Sequence, residues 1–135
     1  MHARAGAATD RGSTTVQTLV WAAVLFTVAL AGVQAVTYGW AYLAARHAAE
    51  RAVQTARLEG STAAAGQEQA ELVLSEAAGG TLISPQVLVT RDAQRTTATV
   101  SGLPVQVVPL LPLPAVQVTA SAPTERFRPI TEQAP

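Results

Sequence analysis

Between Gly12 and Ala45 the chain runs for 34 positions without a charged side chain, and all 18 charged residues lie outside that stretch. The part from Leu19 to Ala45 reads LVWAAVLFTVALAGVQAVTYGWAYLAA, with Thr27, Gln34 and Thr37 as its only polar interruptions and no proline. As a helix it would be roughly 40 Å long, more than the roughly 30 Å hydrocarbon core of a bilayer requires. It is therefore expected to tilt or to project beyond the membrane. Trp21 near one end and Tyr38, Trp40 and Tyr42 near the other would place aromatic rings at two headgroup levels, with Arg46 just outside. The helical period continues through RHAAERAVQTARLEG, where Ala49, Val53 and Ala56 form an apolar stripe, Arg46 and Glu50 stand four apart, and Gly60 is a stop.

A second helix is expected from about Thr62 to Ala78, with Ala70, Val73, Leu74 and Ala77 on one face and Gly79-Gly80 as its end. The period then changes to alternation. Val87 and Val89, then Thr97 and Thr99, are spaced two apart around a turn at Asp92-Ala93-Gln94. Further extended runs are expected at Val105 to Val108 and Ala115 to Ser121. Pro104, Pro109, Pro112 and Pro114 belong at an edge or in a loop, because proline cannot donate to a ladder. From Pro123 onward the pattern is lost and fraying is expected. The resulting fold class is α+β: a long N-terminal transmembrane helix continuing outside the membrane, a second short helix and a small antiparallel sheet. The expected divisions are a leader or cytoplasmic tail (1–12), the membrane helix (13–45), an extracytoplasmic α+β domain (46–122) and a flexible tail (123–135).

Composition removes several functions. The chain has 135 residues and a formal net charge of zero, so it lacks the basic surface that nucleic acid demands. Its basic residues other than two His are all Arg, and Ala fills 28 positions, a bias we read as mutational. Without Cys there is neither a disulfide framework nor a thiolate metal site. His47 stands alone in the body of the chain, too few for the usual His-rich metal centre, and with Glu50 it reads as a solvated interfacial face. There is no Gly-x-Ser-x-Gly elbow and, without Lys, no Walker motif. No catalytic residue, metal or cofactor is therefore assigned. The P-x-x-P of Pro109 to Pro112 reads as a loop between strands.

Within the apolar run, Ala31, Ala35 and Gly39 recur at a spacing of four, which favours close approach of a second helix, and Gln34 could bond such a partner inside the bilayer. A cleaved secretory signal is the rival to a retained anchor: Arg4 and Arg11 would be its basic region and Ala29-Leu30-Ala31 its cleavage site. The apolar run continues past that point through Val36, Trp40 and Leu43, which favours retention. Arginines on both sides of the run leave its orientation open by charge counting.

The junction Asp10-Arg11-Gly12-Ser13-Thr14-Thr15-Val16-Gln17, followed at once by the apolar run, resembles the start of TadE-like proteins, pseudopilin-type components of tight-adherence (Flp-type) pilus systems. The resemblance extends to Ala45-Arg46-His47-Ala48 and Ala52-Val53-Gln54-Thr55-Ala56-Arg57, and to Val116 to Ala122 with Glu125-Arg126-Phe127. It implies a pilin-like fold, homo- or hetero-oligomeric association with other pilin-like or pilus assembly subunits, and cutting by a prepilin peptidase between Gly12 and Ser13. Read without the family, Gly12 ends a tail and Thr14 caps the helix, with Gln17 completing a T-x-x-Q capping box. The family pattern has Glu where this chain has Gln17, which hydrogen-bonds but does not neutralise a neighbouring amine. The resemblance therefore implies an accessory membrane-held component more than a major pilin.

Overall fold

The computed structural model describes residues 9–77 and 79–126, with side chains from residue 12. Helix α1 spans Thr9–Arg57, α2 spans Ala63–Ala77, and three strands follow: β1 Leu82–Arg91, β2 Arg95–Pro104 and β3 Val116–Pro123. The architecture is α+β, with a pilin-like layout of one long helix, one short helix and a three-stranded antiparallel sheet in the order β1-β2-β3.

At 49 residues, α1 is roughly 70 Å long. It contains no proline, and its hydroxyls bond back to the preceding turn: Thr18 to the Thr14 carbonyl, Thr27 to Ala23 and Thr37 to Val33. The helix runs unbroken through Gly12, Ser13 and Thr14, so the capping box expected at Thr14 and Gln17 does not mark its start. Once a long apolar run nucleates a helix, each added residue gains a backbone bond, and nothing in Ser13 to Thr18 breaks the ladder. Past Arg57 the chain turns at Leu58 to Ser61, with Gly60 at a φ of 77° that a side chain would strain.

Thr62 caps α2, its Oγ1 accepting the Ala65 N–H at 3.1 Å. Of the expected face, Ala70 and Leu74 are buried and Val73 is half-buried against the core, whereas Ala77 is exposed. Gly66 is buried where α2 meets α1. A Cβ there would fall 2.6 Å from the Ala52 carbonyl oxygen and 2.7 Å from the Ala56 Cβ. The two helices approach this closely because both offer only small side chains at the crossing.

The hairpin forms around Asp92, whose Oδ1 accepts the N–H groups of Gln94 and Arg95 at 2.7 Å each. Alternation then sorts the faces. Val87, Val89, Ala98, Val100, Val116 and Val118 turn toward the helices, while Thr99 and Thr119 bond each other at 3.1 Å on the outer face. The inner face packs on α1, chiefly through β2 and β3, and α2 covers part of β1. Edge strand β1 slips register between Ile83 and Gln86, around Ser84 at a φ of 48° and Pro85, so proline sits at an irregularity on an edge.

One expected strand is corrected. Val105 to Val108 is not a strand. Pro104 closes β2, Val105 N–H goes to the Thr81 carbonyl, and the Val107 and Val108 N–H groups go to a side chain of α1. Strand β3 runs on to Pro123, which pairs with Arg95. Beyond it, Thr124 N–H donates to the Gln94 carbonyl and Glu125 N–H to the Arg57 carbonyl, with Glu125 3.5 Å from the Arg57 guanidinium. Residues 127–135 lie outside the described part, as does the leader from 1 to 8. Contact between α1 and the rest of the fold begins before Arg46, with Gln34, Ala41, Ala44 and Ala45 already buried.

Candidate membrane-anchoring site

Helix α1 divides lengthwise. From Gly12 to Ala29 it is bare on all sides, and the large apolar side chains there, Trp21, Leu25 and Phe26 among them, are well exposed. From Gln34 to Ala56 one side carries the head through Gln34, Ala41, Ala45, Ala48, Ala52 and Ala56, while Val36, Trp40 and Leu43 remain exposed on the other. The helix from Gly12 has a mean hydropathy of 2.2 in its most apolar window, only 6% of which is buried. A soluble core helix would be covered over that window. This helix is long and apolar enough to span a membrane, and from Gly12 to Ala29 its apolar surface is not covered by the described chain.

Trp21 and Trp40 are nineteen residues apart, roughly 28 Å along the axis. That matches a hydrocarbon layer of roughly 30 Å bounded by two aromatic levels. Both indoles are exposed, as is Tyr42, but Tyr38 is half-buried against the core and so belongs partly to the head. Arg46 follows one turn after Tyr42 and pairs with Glu50 at 2.9 Å on the open surface. An exposed pair of this kind contributes little to stability, but it sets the first charges at the end of the apolar run.

Gln34 is the residue that sequence reasoning misplaced. Expected to bond a partner helix, its side chain is 1% exposed and is used within the chain. Its Oε1 accepts the N–H groups of Val107 at 2.8 Å and Val108 at 2.9 Å, and its Nε2 donates to the Val105 carbonyl at 3.3 Å. A single amide thus satisfies three backbone groups of the β2–β3 loop. The only available signal was a polar residue in an apolar run, which cannot say whether its partner is near in the fold or on another molecule.

The small-residue stripe lies elsewhere on the helix. Ala31 and Ala35 are exposed, and Gly39 is half-buried with no atom within 4 Å of where its Cβ would be. Gly12 and Ser13 sit exposed near the N-terminal end of the bare part, Gly12 likewise with open space around it, and Gln17 is exposed one turn further on. His47 is exposed, and among the described residues no three of His, Cys, Asp or Glu are grouped to hold a metal. The shallow hollows on the head are lined by mixed side chains; two of them share Glu71 and Ser75, where the Ser75 hydroxyl donates to the Leu72 carbonyl at 2.7 Å and Glu71 accepts from Gln67 Nε2 at 3.1 Å. Another, lined by Trp40, Leu43, Ala44, His47 and Ala77, lies on the open side of α1.

No protein-family model, curated protein or solved structure matches this chain. Its class is therefore defined by its own architecture: a small α+β head on one long helix whose N-terminal part can span a membrane.

Proposed function

We propose that the chain is a non-enzymatic, single-pass subunit of pseudopilin type in a tight-adherence (Flp-type) pilus assembly or a related secretion system. Its head would lie on the outer side of the cytoplasmic membrane. The observation that carries this reading is the lengthwise division of α1 into a bare apolar part and an alanine-lined part that holds the head. A helix built this way serves at once as anchor and as packing surface, which is what a subunit that assembles laterally within lipid requires. Ala31 and Ala35 are exposed and Gly39, half-buried, has open space where a Cβ would lie, so the three offer a face for close helix approach. The junction residues support processing between Gly12 and Ser13. A peptidase needs an extended backbone, and Gly12 lowers the cost of unwinding there by about 1 kcal/mol relative to Ala.

One observation favours a second reading, a secreted binding module released after Ala31. The first buried residue of α1 is Gln34, so a cut after Ala31 would remove only the half-buried Leu30 from the part of the helix near the head. Mass mapping of the mature N terminus in the native host separates the readings. A start at Ser13, lost when the prepilin peptidase is deleted, is the result expected. A start at Gly32 selects the secreted module, and an intact N terminus rejects peptidase processing.

A further inference from the structure

We propose that the loop between β2 and β3 is a second membrane contact, with Val107, Leu110 and Leu111 dipping into lipid beside α1. The inference rests on α1 being a membrane span. Through Gln34 the loop is fixed to α1 six residues on the N-terminal side of Trp40, roughly 9 Å nearer the membrane centre than the ring that marks the interface. A head held off the bilayer on a stalk would keep its lowest loop above Trp40. This one reaches below it.

The loop is also made for that depth. Leu110 is 92% exposed, and Val107 and Leu111 nearly half. No charged residue occurs from Thr96 to Thr124, and Gln106 is the single polar side chain between Leu103 and Pro114. Irregular backbone is normally barred from lipid because its polar groups go unsatisfied. Here Pro104, Pro109, Pro112 and Pro114 have no N–H, and those of Val105, Val107, Val108 and Leu111 are bonded. Eight of the eleven residues from 104 to 114 therefore present no free donor. The lone Gln106 side chain donates to the Leu111 carbonyl at 3.4 Å. Apolar side chains at that depth gain burial in the hydrocarbon, and the nearly closed backbone keeps the cost of desolvation low.

The absence of Cys allows a direct test on the full chain. Single variants Leu110→Cys, Leu25→Cys and Leu88→Cys, all at exposed positions, are labelled with an environment-sensitive nitrobenzoxadiazole dye and reconstituted into phosphatidylcholine–phosphatidylglycerol vesicles. Lipids carrying a spin label near the headgroup or near the chain end then report depth. The Leu110 probe is expected to be blue-shifted and to lose emission to the deep quencher at least as strongly as to the shallow one. The Leu25 probe should be quenched by the deep one, and the Leu88 probe, on the outer face of the sheet, by neither. Quenching at Leu25 without quenching at Leu110 overturns the loop contact and leaves the anchor standing. Quenching at neither overturns both. A blue shift at Leu110 that disappears as protein is diluted with lipid assigns the loop to a second copy of the chain and also overturns the proposal.

Discussion

Replacing Gln34 with Leu keeps the apolar helix and removes the clamp on the β2–β3 loop. The two N–H groups of Val107 and Val108 would lose a near-ideal acceptor, at 2.8 and 2.9 Å, and the Val105 carbonyl a weaker donor at 3.3 Å. A net hydrogen bond contributes about 1 kcal/mol, and a buried group left unsatisfied costs about 1–3 kcal/mol, so the loop should loosen by about 2–4 kcal/mol. The loop can relieve part of the penalty by lifting off α1, which favours the lower end. Local opening controls amide exchange, and every 1.4 kcal/mol is a factor of ten. The Val107 and Val108 amides should thus exchange at least about thirtyfold faster in the full chain reconstituted in nanodiscs. Gln34→Glu keeps the oxygen that accepts both N–H groups while losing the donor to Val105, so it should protect these two amides better than Leu does. Unchanged exchange at Val107 and Val108 in the Leu variant would refute the clamp.

Three other outcomes follow from the packing. Gly66→Ala should lower the thermal midpoint of the head, because the added Cβ at 2.6 Å from the Ala52 oxygen forces α2 away at about 1–3 kcal/mol, outweighing the helix-propensity gain of about 1 kcal/mol; a raised midpoint would show that the crossing is looser than it looks. Val100→Ala, at the fully buried centre of β2, should destabilise the head by about 2 kcal/mol in urea titration, and a change within error would place the core elsewhere. The N–H groups of Gln94 and then Arg95 hold the Asp92 carboxyl below its ordinary value. A carboxyl lowered on folding stabilises the hairpin above its unfolded value and loses that contribution as pH falls through the lower folded value. Acid should therefore loosen the 92–95 turn in hydrogen exchange, and Asp92→Asn should flatten that dependence; a turn equally pH-sensitive in the Asn variant would assign the effect to another group.

Local features of the sequence were enough to read the framework. A charge gap marked α1, a change of period marked the sheet, and Asp92 to Gln94 marked the hairpin because an Asx turn is formed by residues two and three apart. Gly79 and Gly80 ended α2 through backbone angles that need no distant partner. What could not be read depends on residues far apart in sequence. Gln34 and its loop are more than 70 positions apart, and Glu125 reaches back to Arg57. Val105 to Val108 has the composition of a strand but gives the N–H groups of Val107 and Val108 to Gln34 and that of Val105 to the Thr81 carbonyl, an outcome no local pattern encodes. The same holds for Pro85, a residue that argues against a strand yet sits in β1 because the register slips around it on an edge.

The alanine excess has a structural consequence whatever its origin. Nine of the fifteen apolar residues buried among the described ones are Ala, which bring the two helices and the sheet close but carry little surface to remove from water. Such a core is thin, and larger side chains would thicken it only by pushing α2 off α1 at Gly66. The head must draw its remaining stability from directional bonds at its margins, and these are placed at both ends of α1's packed part. Gln34 ties down the β2–β3 loop at one end, and at the other the Arg57 carbonyl accepts Glu125 N–H. The bare part from Gly12 to Ala29 takes no share in this, since nothing in the described chain covers it. Where that part spans a membrane, as we propose, anchoring and folding are coupled through Gln34. That residue closes the head and stands next to the bare part, so a change there should loosen the fold and, on that reading, alter how deeply the head is seated.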